Sequence, residues 1–473
     1  MMIKKMTALA LLGTMLATTH IIAQQRPNIV FILADDLGYG DLGVYGQTKI
    51  KTPNIDRLAR EGMVFTQFYA GTSVCAPSRS SLLTGQHTGH TFVRGNKEIA
   101  PEGQEPLADT VQSYATLLKQ AGYATGAFGK WGLGMVGTSG APDKKGFTTF
   151  FGYNCQRQSH RYYPTHLWNN NEKVELTGND LTQKKVYAPD LIQIMALAFI
   201  MDHKDKPFFL FIPTTLPHAE LQGPDDEYYK MYEHSFEEHA YKGNDYGPGA
   251  KVAGYASVEK PRATYAAMVS RMDAYVGQVL DRLDALGLTD NTIVIFASDN
   301  GAHQEGGADP LFFNSTGGLR GYKRDLYEGG IKTPFIVKWP GKVKAGSKSD
   351  FVGAFWDLMP TFTEIGGAPK PRYTDGISIV PTLLGKKKQA THPYLYWEFH
   401  EDGGRQAVRM GKWKGIRQNV MKDHNAPLEL YDLSKDPAEQ HNIAATNAGI
   451  VKKMSAYMKE AHVESDVFPL TGK

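Results

Sequence analysis

Asn28-Ile-Val-Phe-Ile-Leu-Ala34 is an unbroken apolar run, rich in β-branched side chains, and Asp35-Asp36 follows it directly. A strand with one wet face alternates apolar and polar residues, whereas a run without alternation belongs to a strand buried on both faces. Comparable runs recur at 124–128, 208–212, 292–297 and 334–338, and helical patterns fill 110–120, 191–201 and 263–286. Strands alternating with helices predict an α/β fold, a large, mostly parallel mixed sheet sandwiched by helices. After about residue 374 the texture changes. Segments 394–399, 406–410 and 428–431 read as short strands joined by turns, and 448–461 as a final helix. These predict a small antiparallel C-terminal α+β subdomain, so that a main domain at 24–373 is followed by a second unit at 374–473. The polar, aromatic stretch 223–260 reads as a long surface excursion at a substrate rim.

Oxygen-bearing side chains sit where such a sheet gathers ligands. Asp35-Asp36 follows one buried strand, and Asp299-Asn300-Gly301 follows another. In open α/β sheets ligands collect at the carboxyl ends of the strands. Asp35, Asp36, Asp299 and Asn300 brought together there form a hard oxygen cage suited to Ca²⁺ or Mg²⁺. Each piece alone has a plainer reading, since Asp-Asn-Gly is a common turn and an Asp pair often caps a helix. The segment Ser73-Val-Cys75-Ala-Pro77-Ser-Arg79 through Thr84-Gly85 reads as a helix start at Pro77 with Cys75 just ahead of it. An anion is favoured at that place, and Arg79, one turn in, can point its planar fork back at it.

Cys-x-Pro-Ser-Arg followed by x-x-Leu-x-Thr-Gly is similar to the signature of the type I sulfatases, arylsulfatase-like members of the alkaline phosphatase superfamily. The resemblance runs through Gly129-Lys130-Trp131, Ser298 to Gly301, Tyr327-Glu-Gly-Gly330 and Glu429 to Leu433. It implies that Cys75 is oxidised to formylglycine, by a formylglycine-generating enzyme or an anaerobic sulfatase-maturating enzyme. It implies Asp35, Asp36, Asp299 and Asn300 as metal ligands, with the modified Cys75 adding an oxygen, and Ca²⁺ as the ion with Mg²⁺ as the alternative. It gives Arg79 the role of steadying the formylglycine, Lys130 and Lys323 those of binding sulfate, and His218 that of protonating the leaving oxygen. One position departs from the pattern: Gly132 stands where many members have histidine, and His303 is the candidate to supply the missing contact. Arg94, His303 and His400 are expected at the substrate rim. The implied activity is hydrolysis of sulfate esters on sulfated carbohydrates, with galactose or N-acetylgalactosamine sulfates favoured. A phosphate or phosphonate ester hydrolase of the same chemistry, or an inactive sulfated-glycan-binding homologue, are the alternatives.

The 473 residues suffice for one large core and a smaller second unit. A net charge of +3 carries no nucleic-acid footprint. Lys4-Lys5 precede an apolar stretch at 7–22, and Gln24-Gln25-Arg26 follows it, the pattern of a secretory leader over 1–23. Periplasmic or secreted localisation follows, without stable membrane insertion. The two cysteines, Cys75 and Cys155, leave one disulfide open as an alternative to modification.

Overall fold

The computed structural model describes residues 26–245 and 254–470. The leader expected at 1–23, and part of the excursion at 223–260, lie outside the described residues. The main sheet takes ten strands. In chain order they are β1 (Asn28–Ala34), β2 (Met63–Phe65), β3 (Ala124–Lys130), β4 (Thr149–Tyr153) and β5 (His166–Asn169), then β6 (Glu172–Glu175), β7 (Phe208–Pro213), β8 (Thr292–Ser298), β9 (Phe335–Lys338) and β10 (Ser347–Ser349). Their order across the sheet is β10-β2-β9-β8-β1-β7-β3-β4-β5-β6. From β8 through β1, β7 and β3 to β4 every pairing is parallel, and antiparallel pairings join β8 to β9, β9 to β2, β4 to β5 and β5 to β6.

All seven residues of β1 are buried, and they divide by parity. Val30, Ile32 and Ala34 enter one core with side chains of the helices α1 (Pro53–Arg60), α5 (Ala188–Asp202) and α6 (Pro261–Ala285). Ile29, Phe31 and Leu33 enter the other, against α2 (Cys75–Thr84), α3 (Tyr114–Gln120) and α7 (Leu358–Gly366). This is why the run shows no alternation: both faces of the pleat are covered. A further short helix, α4 (Gln156–Ser159), follows β4. Helix α3 begins at Tyr114 rather than at 110, because the Ser113 side chain caps it by accepting from the Thr116 N–H.

The C-terminal part forms a four-stranded antiparallel sheet, β11 (Leu395–Phe399), β12 (Arg405–Met410), β13 (Trp413–Gln418) and β14 (Leu428–Asp432), with helix α8 (Ala448–Ala461) against it. Its Trp397, Ile416 and Tyr431 pack with Tyr69, Val74 and Trp356 of the main body. Lys414, fully buried, pairs with Glu328 across this junction at 2.9 Å and with Glu439 of its own unit at 3.5 Å. Val74 directly precedes Cys75, so the second sheet buttresses the start of α2. Among the described residues no helix is long and apolar enough to cross a membrane.

Candidate active site

The strands β8, β1, β7 and β3 lie side by side and parallel, so their carboxyl ends share one edge. β1 runs into Asp35 and Asp36, β8 into Asp299 and Asn300, β3 ends on Lys130, and His218 follows β7. Asp36 holds a left-handed backbone, φ 64°, a conformation aspartate tolerates better than most residues. Its N–H donates to Asp299 Oδ1 at 3.1 Å, tying the two strand ends together.

Cys75 opens α2 and is 3% exposed. Its Sγ lies 3.5 Å from Asp35 Oδ1 and 4.0 Å from Asp36 Oδ1. Burial, reinforced by Asp35 and Asp299 and opposed by Lys130, pushes the thiol well above its ordinary range, so an unmodified Cys75 stays protonated. Arg79 donates from Nε and Nη2 to Asp299 Oδ2 at 3.0 and 2.8 Å, and from Nη1 to the Lys130 carbonyl at 2.8 Å. Lys130 Nζ donates to Asp35 Oδ2 at 2.8 Å, and both side chains are fully buried. Lys323 Nζ reaches Asp36 Oδ2 at 2.9 Å, Glu305 Oε2 at 2.8 Å and His218 Nε2 at 3.0 Å. Lysine carries no acceptor, so His218 Nε2 receives that bond and Nδ1–H donates to the Ala219 carbonyl.

These groups fit a divalent cation. Asp35, Asp36, Cys75 and His218 offer ligand atoms all within 4.8 Å of one another. Asn300 Oδ1 is buried with no hydrogen-bond partner, an acceptor oriented by the Nδ2 bond to Asp36 Oδ1 at 2.7 Å. Burial, with Asp35 next to it, pushes the Asp299 carboxyl up, the mark of crowded negative charge that a bound cation relieves. Against its own burial, Asp35 is held well below the usual carboxylate range by Lys130, His218 and Arg79. Hard oxygens of this kind, anionic and amide, select calcium- or magnesium-type ions.

The rim residues divide differently. His303 accepts from the Glu305 N–H at Nδ1 and faces the Pro217 carbonyl with Nε2 at 3.4 Å, while its ring stacks near His218 at 5.8 Å. Both its nitrogens are thereby engaged. Arg94 is buried and spends its guanidinium on the Thr91 and Val463 carbonyls, with Glu398 at 3.7 Å. His400 Nε2 bonds Glu398 at 2.8 Å, leaving a buried Nδ1 without a partner. Sequence reasoning missed Glu305, which anchors Lys323, and His160, whose ring stacks on His218 at 4.4 Å. A lone acid in a loop and a histidine just past a short helix give no spacing signal. Both cysteines are free, and Cys155 caps α4 by accepting from the Gln158 N–H at 3.5 Å.

The sulfatase family profile matches residues 27–368, and that of the N-sulphoglucosamine sulphohydrolase C-terminal region matches 320–464. The chain is 29% identical to N-acetylgalactosamine-6-O-sulfatase of Bacteroides thetaiotaomicron, over 92% of its own length and 93% of that protein. It is 31% identical to human arylsulfatase A, over 92% of the chain and 86% of that protein. Among solved structures it resembles Ps i-CgsB crystallised with k-i-k-neocarrahexaose, with a TM-score of 0.75, 28% identity and 92% of each chain covered. With a carboxylate–cysteine–histidine cluster at the sheet edge and a profile match over most of its length, the chain belongs to the type I, formylglycine-dependent sulfatase family, an arylsulfatase-like hydrolase on the alkaline phosphatase superfamily fold.

Proposed function

We propose that the chain removes sulfate esters from carbohydrates, using formylglycine formed at Cys75 and a divalent cation, Ca²⁺ in preference to Mg²⁺. The observation that carries this is the placement of Cys75 Sγ, 3.5 and 4.0 Å from two carboxylates, Asp35 and Asp36, that are themselves paired with Lys130, Arg79 and Lys323. When present, the hydrated aldehyde supplies a hydroxyl nucleophile and the cation supplies charge against the sulfate oxygens. Asp35, Asp36, Asp299 and Asn300 would hold the ion. Lys130 and Lys323 add positive charge where a sulfate sits, and Arg79 fixes the first turn of α2 against Asp299. His218 Nε2 and Lys323 Nζ share one hydrogen bond at 3.0 Å, so the proton for the departing alcohol is held at that pair.

The carbohydrate reading draws support from relatives, one named as an N-acetylgalactosamine-6-O-sulfatase and one crystallised with k-i-k-neocarrahexaose. Sulfated galactose or N-acetylgalactosamine is therefore the substrate class we favour. Residues 24–373 carry the chemistry in this reading, 374–473 support it, and the leader at 1–23 exports the protein to the periplasm or beyond. Peptide mass spectrometry of Cys75 after expression with a maturation enzyme, together with sulfate release from a panel of sulfated sugars, tests the proposal. Conversion with cation-dependent release supports it. Faster release of phosphate than of sulfate from matched aryl esters points to the ester-hydrolase alternative, and full conversion with no release points to a binding role.

A further inference from the structure

Gly132 has a left-handed backbone, φ +76°, and a Cβ added there would lie 1.8 Å from Gln156 Nε2 and 2.8 Å from Gln156 Cδ. The volume a side chain at 132 would occupy, two residues beyond Lys130, is thus already filled by the Gln156 amide. That amide is unusual. Gln156 is 4% exposed, yet neither its Nε2 nor its Oε1 has a hydrogen-bond partner. Two neighbours share the condition. Gln104, fully buried, accepts the Gln156 N–H at 3.2 Å with Oε1 and leaves Nε2 unpaired. Asn154, 1% exposed, accepts the Gly132 N–H at 3.0 Å on its backbone and leaves Oδ1 unpaired. Buried polar atoms are nearly always satisfied, and each one left open costs about 1–3 kcal/mol. Several together, beside a catalytic site, mark a buried polar patch left for something else to complete.

The chemistry of the open atoms identifies that partner. Gln156 and Gln104 offer donors; Gln156 and Asn154 offer acceptors. A sulfate oxygen could use only the donors. A hydroxyl group donates and accepts, so a pair of sugar hydroxyls satisfies the whole set. The patch is also correctly placed: Gly132 leads back to Lys130, and His160, one turn beyond Gln156, stacks on His218 at 4.4 Å. We propose that Gln156, with Gln104 and Asn154, forms a neutral amide subsite that reads the hydroxyls flanking the sulfate ester. Gly132 is glycine so that this amide can enter. The inference rests on the sulfated-carbohydrate reading above and assigns the residues that select the sugar.

The test uses the matured, cation-loaded enzyme, para-nitrophenyl sulfate, and the sulfated galactose or N-acetylgalactosamine it cleaves fastest. Gln156→Leu keeps the shape and removes both hydrogen-bonding functions, and Gln156→Glu keeps an acceptor and removes the donor. The ratio of kcat/KM on the sugar to that on the aryl sulfate should fall about ten- to a hundredfold in Gln156→Leu. Substrate analogues lacking one flanking hydroxyl should lose rate in the wild type and lose little more in the variant. Should Gln156→Leu fail to fold, Gln156→Glu carries the same comparison. An unchanged ratio in an active enzyme, or an equal loss on both substrates, overturns this inference alone. A matured wild type that cleaves neither substrate overturns the sulfatase reading and this inference with it.

Discussion

Lys323 Nζ lies 3.0 Å from His218 Nε2, and this contact, together with the Nδ1–H bond to the Ala219 carbonyl, sets which imidazole nitrogen carries the proton. Burial first, and Lys323 second, hold the imidazole well below its ordinary range, so His218 is neutral in the resting protein. Lysine also meets Asp36 and Glu305, a three-point seat that a planar guanidinium cannot reproduce.

Lys323→Ala should therefore lower kcat on an aryl sulfate by about a hundredfold or more, on the scale of losing one preorganised charge contact. Lys323→Arg should restore little of it. Steady-state kinetics on variants with wild-type circular dichroism give the answer: near-wild-type turnover by Lys323→Ala would remove Lys323 from the mechanism, and by Lys323→Arg alone would show that charge suffices without the lysine seat.

A cluster of buried carboxylates without its cation is a repulsive arrangement, so ion binding should be visible in stability as well as in rate. At a Ca²⁺ concentration of about 100 times Kd the native state gains about 2.7 kcal/mol by mass action. Thermal melts before and after chelation should show a clear fall in Tm, reversed by adding Ca²⁺, and Asp36→Asn should blunt the response. Identical melts with and without chelator would argue that these oxygens hold no ion.

The junction between the two sheets makes a stability prediction independent of catalysis. Lys414 sits fully buried between Glu328 and Glu439, and removing it leaves two acids facing each other in the interior. Lys414→Ala should cost about 3–5 kcal/mol, the usual consequence of orphaning buried partners. Denaturant unfolding measures it, and a loss below about 1 kcal/mol, the range of an exposed pair, would mean that the junction is wetter than its burial indicates.

Glu398 gives a pH dependence. Burial opposes its ionisation, but His400, His462 and Arg94 bring the carboxyl down to about 2. A folded value below the ordinary one means that this contribution is present above about pH 4.5 and is lost as pH falls towards 2. The bonded His462 shifts upward, by its hydrogen bond to Glu398, so its share is present below its ordinary range and fades as pH rises. Melting temperature against pH should drop more steeply on acidification in the wild type than in Glu398→Gln. Parallel curves would show that the cluster is not an acid-sensitive clasp.

The central strands were legible because a doubly covered strand has a composition of its own, and β1, β3, β7, β8 and β9 all fall on the apolar runs. The final helix begins and ends where its pattern does, at Ala448 and Ala461. Strands such as Met63–Phe65 and Ser347–Ser349, three residues each, are too short to show a period and are defined by their pairing, Met63–Phe65 lying between β9 and β10 and Ser347–Ser349 closing that edge of the sheet. At the site, Asp35, Asp36, Asp299 and Asn300 announced themselves by following strands. Gln156 did not. Its meaning depends on a side chain missing from Gly132, and an empty position can be interpreted only once its neighbour in space is known. Arg94 and His400 were expected near the substrate; the structure turns both towards Glu398, a partner more than 300 residues from Arg94 for which no local pattern exists.

The depth of Cys75 has a consequence for the order of events in biosynthesis. At 3% exposure, beneath strand ends and backed through Val74 by the second sheet, the thiol is out of reach of another protein's active site. Any enzyme that oxidises it has to meet the segment 73–85 as an extended chain, before the sheet closes over it. Folding then acts as a deadline: a molecule that folds first keeps its sulfur, and only unfolding reopens the opportunity. If Cys75 is converted to formylglycine as proposed, a population of this protein should contain converted and unconverted molecules, in a ratio set by a race between oxidation and folding rather than by an equilibrium.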